Sequence, residues 1–263
     1  MTHLCFNAVN HSPVAGGTTP LRDQIAAAAA AGFPLIGIDL ASLHAAATAG
    51  GGDDRVAGWL AAARIGCGAI TCAGMLGTDP PAGVAGAARW ARALGAPFVQ
   101  VNMAAIGADQ RPALEAACDA AGNDVRLALE YMPFTPLDRV ADALALVAAV
   151  GLDRAGVLID VWHHERGPDS WDDLAAVPAP AIAYAEFDDA LPAGEDVVRD
   201  TMDHRIFPGE GMFDLPRFVR TIAATGYRGM VSVEVLSAAW RTRDVGPFAA
   251  EAFTRTRGYW LPA

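Results

Sequence analysis

The chain contains no lysine. All 19 of its basic residues are arginine, against 30 acidic residues, for a formal net charge of −11. Without lysine there is no Schiff-base amine, which excludes class I aldolase and pyridoxal-phosphate chemistry. A Walker A phosphate loop is excluded for the same reason. The acidic balance argues against a nucleic-acid partner, because affinity for a phosphate backbone grows with basic contacts. Charged residues make up only 19% of the chain and hydrophobic ones 53%, the composition of a packed domain rather than a disordered one. No apolar run approaches the ~18–20 residues needed to cross a bilayer, so no membrane partner is expected. The segment from Met1 to Val9 lacks the basic region and apolar stretch of a secretory signal. The four cysteines (Cys5, Cys67, Cys72, Cys118) show no CxxC spacing and read as reduced, mostly buried thiols, which implies a cytoplasmic protein.

What the sequence does have is rhythm. Eight short apolar runs, at 3–9, 35–40, 68–73, 98–103, 126–131, 156–161, 182–187 and 230–235, alternate with stretches of helical periodicity such as 21–31, 56–65, 82–94, 112–121, 136–150 and 215–225. Most of the runs are nearly continuous in apolar residues, as strands buried on both faces should be. Gly32, Gly95, Gly151 and Gly226 each follow a helical stretch, where a C-terminal cap is expected. Asp214-Leu215-Pro216 reads as a helix start. Eight β/α units in one chain of this length predict an α/β fold, a single (β/α)8 TIM barrel occupying residues 1–263. A doubly wound sheet is the main alternative. It usually carries a glycine-rich turn after the first strand, and Asn10 to Gly17 contains no GxGxxG. The longest irregular stretch runs from Ala190 to Phe213, and such loops in compact domains are usually functional.

In a barrel, residues at the C-terminal strand ends face the active site. Four consecutive strands end in an acid: Glu130, Asp160, Glu186 and Glu234. One such acid reads most simply as a helix cap or a salt-bridge partner. Four converging in a low-dielectric mouth would repel one another and call for a cation, of which a metal is the simplest. His163, three residues after Asp160, and Arg205, held by the Pro208-Gly209 turn, belong to the same mouth. Met75, Met103, Met132, Phe134, Trp162, Phe187 and Phe207 also follow strands or sit in βα loops. Most of these are ordinary core or lid positions; if several line the pocket, the substrate is cyclic or partly apolar.

These residues carry a resemblance. Leu129-Glu130, Asp160-Val161-Trp162-His163, the loop from Arg205 to Gly211 and the stretch from Gly226 to Glu234 resemble the xylose-isomerase-like barrels, specifically the sugar phosphate isomerase/epimerase family. The resemblance spans about the whole chain and is strongest from Glu130 onward. It implies one Mg²⁺ or Mn²⁺ held by Glu130, Asp160, Glu186 and Glu234, with Glu130 and Glu234 as the catalytic acid/base pair. His163 and Arg205 would hold substrate oxygens. The implied reaction is isomerisation or epimerisation of a small polyhydroxylated carbonyl compound by proton transfer through an enediolate. Two departures stand out: the strand-seven ligand, usually His or Gln in the family, is Glu186, and the lysine of xylose isomerase proper is missing. The nearest rival reading is a lyase on the same scaffold, an inosose- or dehydroshikimate-dehydratase-like enzyme that loses a β-hydroxyl after the same proton abstraction. A DNA-repair endonuclease shares the barrel, but six histidines and a charge of −11 disfavour it. A non-catalytic binding barrel would leave the convergence of acids unexplained. A small-molecule substrate is the expected partner, and assembly into a homodimer or homotetramer is left open.

Overall fold

The computed structural model describes residues 2–48 and 52–261. Eight parallel strands carry the barrel: β1 (His3–Asn7), β2 (Leu35–Asp39), β3 (Gly66–Thr71), β4 (Phe98–Met103), β5 (Arg126–Glu130), β6 (Ala155–Asp160), β7 (Ile182–Phe187) and β8 (Met230–Val233). Each pairs with its successor, and β8 pairs back onto β1 through His3–Met230 and Phe6–Val233, so the sheet has no free edge. The helices are α1 (Leu21–Ala31), α2 (Leu40–Thr48), α3 (Gly52–Ala63), α4 (Pro81–Leu94), α5 (Gln110–Ala121), α6 (Val140–Val150), α7 (Val161–Arg166), α8 (Trp171–Ala175), α9 (Val197–Asp203), α10 (Leu215–Ala224) and α11 (Val245–Trp260). This is the expected (β/α)8 barrel.

The barrel interior is filled rather than open. Cys5, Ala69, Ala128, Leu158, Tyr184 and Met230 form a buried cluster inside it, with small residues making room for the Tyr184 ring. The outward strand faces pack on the helices: Phe6 lies edge-on to Phe33 and Phe248, with centroids 5.6 and 6.0 Å away. Helix α11 closes the ring against α1, with Phe253 edge-on to Phe33 at 5.1 Å. Gly32 ends α1 at φ +103°, a left-handed conformation in which its N–H reaches the carbonyls of Ala28 and Ala29 and a side chain would be strained. Cys5, Cys67 and Cys118 are buried free thiols, and Cys72 is partly exposed.

Three differences from the periodicity matter. The helix expected over 136–150 starts only at Val140; Pro136–Arg139 precede it outside the helix. The stretch from Ala190 to Phe213 is not irregular throughout. It contains α9 and a short antiparallel pair in which Arg205 lies opposite Ala190 and Ile206 opposite Asp189. Third, the register between β6 and β7 shifts by one residue between Val157 and Leu158. Side chains alternate faces along a strand, so this shift decides which residue stands level with Asp160. It brings Glu186, and not its neighbour, opposite. Among the described residues no helix is long and apolar enough to cross a membrane.

Candidate active site

Glu130 and Asp160 are the last residues of β5 and β6, Glu186 is the penultimate residue of β7, and Glu234 directly follows β8. All four point into one pocket of about 200 Å³ or its floor. Asp160 sits at the centre. Carboxylate oxygens of Asp160, Glu186 and Glu234 lie within 4.8 Å of one another, and so do ligand atoms of Glu130, Asp160 and His163. The other strand-end acid, Asp39 on β2, shows the bland alternative: its Oδ1 accepts from the backbone N–H of Ser42 at 2.8 Å and caps α2. Asp160 does both. Its Oδ1 accepts from the N–H of Trp162 at 2.8 Å, starting α7, while Oδ2 faces the pocket.

Three amides that the sequence reading did not single out orient these acids. Asn7, at the end of β1, donates through Nδ2 to Glu186 Oε1 at 3.1 Å and Glu234 Oε1 at 2.9 Å. Gln100 and Asn102, two apart on β4 and therefore on one face, both donate to Glu130 Oε2 at 2.7 Å. The visible signal was alternation: polar Gln100 and Asn102 interrupt the otherwise apolar Phe98–Met103.

Arg205 is buried, with 1% of its surface exposed. Its Nη1 lies 2.8 Å from Asp160 Oδ2, 2.7 Å from Asp188 Oδ2 and 3.3 Å from Glu234 Oε2. Its Nε donates to the Thr201 carbonyl at 3.0 Å and its Nη2 to the Thr201 hydroxyl at 2.7 Å. Trp162 packs under the guanidinium with its ring centroid 5.3 Å from Cζ. Arg205, expected to hold substrate oxygens, lines the pocket, and its guanidinium also knits the acids together. Asp188, also not singled out, stands two residues after Glu186 and completes that network. His163 lies on α7 with Nε2 3.2 Å from Glu130 Oε1 and 3.4 Å from Asp160 Oδ2. Its Nδ1 has no hydrogen-bond partner among the described residues. Its position suits a carboxylate-orienting group or a metal ligand as well as a substrate contact. Of the seven apolar mouth candidates, Met132 and Phe134 line the pocket. Met103, Trp162, Phe187 and Phe207 are core residues, and Met75 lies in a short extended segment away from the pocket.

The electrostatics describe a cup short of positive charge. Burial pushes the Glu186 carboxyl well above the usual range, and Glu234, Glu130 and Asp160 push it further against the opposing pull of Arg205. Glu234 is raised to about 8, by burial first and by Glu130 and Asp160, although Arg205 and Asn7 oppose this. Burial likewise raises Asp188 well above its ordinary value despite Arg205. Asp160 is lowered: burial opposes ionisation, but Arg205, His163 and the Trp162 N–H outweigh it. Converging oxygen donors whose ionisation is resisted by their own mutual repulsion fit a divalent cation, and an oxygen-rich set suits Mg²⁺ or Mn²⁺.

Comparison with known proteins agrees with the fold. The family model of the xylose isomerase-like TIM barrel matches residues 25–252. A 3-dehydroshikimate dehydratase of Pseudomonas aeruginosa is 33% identical over 86 residues, 33% of this chain and 14% of that protein. An inosose isomerase of Halalkalibacterium halodurans is 28% identical over 113 residues, 42% of this chain and 39% of that protein. Each match thus spans well under half of the relative's own length. Among solved structures, an IolI protein with a bound zinc atom superposes with a TM-score of 0.87 at 18% identity, covering 99% of this chain and all (100%) of that one. A D-allulose 3-epimerase from Methylomonas sp. in complex with D-allulose superposes with a TM-score of 0.75 at 16% identity, covering 98% and 97%. At these identities the structures speak to the fold alone.

Proposed function

The chain belongs to the xylose isomerase-like TIM-barrel family, and from that premise we propose that it is a divalent-metal-dependent isomerase or epimerase of a small polyhydroxylated carbonyl compound. The observation that carries this reading is the gathering of four strand-end carboxylates, Glu130, Glu186 and Glu234 around Asp160, in one largely buried cup. Glu130, Asp160, Glu186 and Glu234 would hold Mg²⁺ or Mn²⁺, with His163 near enough to join them. When bound, the ion supplies Lewis-acid polarisation of adjacent carbonyl and hydroxyl oxygens, which acidifies the C–H between them. The protein's own groups then move the proton. Glu130 is fixed through Oε2 by two amides, and its Oε1 is oriented by His163. Glu234 is fixed through Oε1 by Asn7, and its Oε2 is oriented by Arg205. One carboxylate removes the proton. Its return from the other face of the substrate gives epimerisation, and its return to the neighbouring carbon gives isomerisation.

Glu130→Gln and Glu234→Gln should each abolish deuterium incorporation into a carbonyl substrate in D₂O, as well as turnover. Near-normal rates in either variant would refute the assignment. A second reading, loss of a β-hydroxyl after the same abstraction, is favoured by the similarity to the dehydratase of Pseudomonas aeruginosa. Product mass decides between them, since elimination removes one water.

A further inference from the structure

Every cation of the side chains can be placed, because the chain has no lysine and all 19 arginines fall within the described residues. Of these, only Arg205 lines the pocket, and its guanidinium is already bonded to Asp160, Asp188 and Thr201 and near Glu234. The other positive candidate, His163, faces Glu130 and Asp160. The three amides at the pocket floor are likewise turned onto carboxylates. With all five ionised, the acids Glu130, Asp160, Glu186, Asp188 and Glu234 outnumber the one guanidinium so heavily that even a bound divalent ion leaves the cup formally negative. A carboxylate or phosphate on the substrate would enter this field with no counter-ion to meet it, and an ionic group moved out of water without a partner is strongly disfavoured.

The rest of the wall is apolar: Val9, Met132, Phe134 and Leu236 inside, with Val14 and Val198 at the rim, 42% and 50% exposed. Between the wall and the floor stands the Thr71 hydroxyl, a neutral group without a hydrogen-bond partner among the described residues. We propose that this site selects uncharged polyhydroxy ketones that present one apolar edge, and rejects carboxylated and phosphorylated carbonyl compounds. The inference rests on the reaction class proposed above and narrows its substrate. The reacting oxygens would face the carboxylate cup, a further hydroxyl would reach Thr71, and C–H-rich ring or chain edges would lie on the valine, methionine and phenylalanine wall.

The test is calorimetric binding to the Mn²⁺-loaded protein with two matched pairs: D-fructose against D-fructose 6-phosphate, and an inosose against 3-dehydroshikimate. The neutral member of each pair should bind at least tenfold more tightly than the anionic one. Val198→Arg, which sets a cation at the exposed rim, should narrow the gap for the phosphate pair at least threefold. Equal or tighter binding of either anion, absence of binding by both neutral ligands, or no gain in Val198→Arg would overturn the inference. Deuterium exchange at the carbon next to the carbonyl, followed by NMR in D₂O, reads the proton transfer separately. Loss of exchange with the binding preference intact counts against the reaction class and leaves the selectivity standing. Exchange with the preference reversed does the opposite.

Discussion

Replacing Arg205 by methionine keeps much of the side chain's length and packing on Trp162 while removing its charge and donors. The structure places Nη1 within 3.3 Å of three buried or nearly buried carboxylates and gives Thr201 two further hydrogen bonds from the same guanidinium. Breaking a buried ion pair by removing one partner typically costs about 3–5 kcal/mol, because the remaining charge is left uncompensated. Here the carboxylates can take up protons, so the lower half of that range is expected in metal-free protein at mildly acidic pH and the upper half near pH 8. At roughly 2–4 °C per kcal/mol for a chain of this size, the melting temperature should fall by about 6–20 °C. The assay is thermal and urea unfolding of the wild type, Arg205→Met, Asp188→Asn and the double variant. Asp188→Asn keeps an acceptor for Nη1 and should cost under about 1 kcal/mol. The double variant should be less destabilised than the sum, by about 1–3 kcal/mol, because Asp188 no longer strands a charge. Saturating Mn²⁺ should restore part of the loss in Arg205→Met, since it supplies the missing positive charge. A fall in melting temperature of under about 2 °C, with activity abolished, would refute the structural role and return Arg205 to substrate binding.

Other outcomes follow from the same geometry. The raised carboxyls of Glu186, Asp188 and Glu234 favour the protonated form in the folded state. Their contribution is full below the ordinary value, 4.5 for glutamate, and is lost as pH rises through the folded value, about 8 for Glu234. Metal-free protein should therefore lose stability between about pH 4.5 and 8, with Mn²⁺ flattening the profile; a melting temperature that rises across that window contradicts the charge assignment. Asp189 accepts from the backbone N–H groups of Ala190, Gly209, Gly211 and Phe213 at 2.9–3.1 Å, so Asp189→Ala should cost about 2–4 kcal/mol and speed amide exchange at 209–213. Unchanged exchange there would show that the loop is held by other contacts. Glu186→His should shift metal preference toward Zn²⁺, read as metal content after competition, because imidazole is the softer ligand. An unchanged preference would remove Glu186 from the ligand set.

Much of this was written in local patterns. The near-continuous apolar runs placed all eight barrel strands within a few residues, because a strand buried on both faces needs no polar alternation. Glycines 32, 95 and 151 marked helix ends because left-handed backbone disfavours other residues. The four strand-end acids were legible since a parallel barrel aims all its C-terminal strand ends at one mouth, so position along the strand is enough to predict convergence. Missing lysine excluded whole mechanisms without any coordinates. What only the tertiary structure decided was which groups meet. Arg205 is 45 residues from Asp160 in sequence, and nothing local shows that its charge is directed at Asp160 and Asp188 rather than at a substrate. Asn7 meets Glu234 across 227 residues because β8 closes against β1. Helix α9, short and half polar, carries too weak a periodicity to be read from sequence, and α11 shows its buried face only where α1 covers it. The sense of Asp160 opposite Glu186 hangs on a one-residue register shift, a consequence of strand pairing around a closed barrel that no single strand encodes.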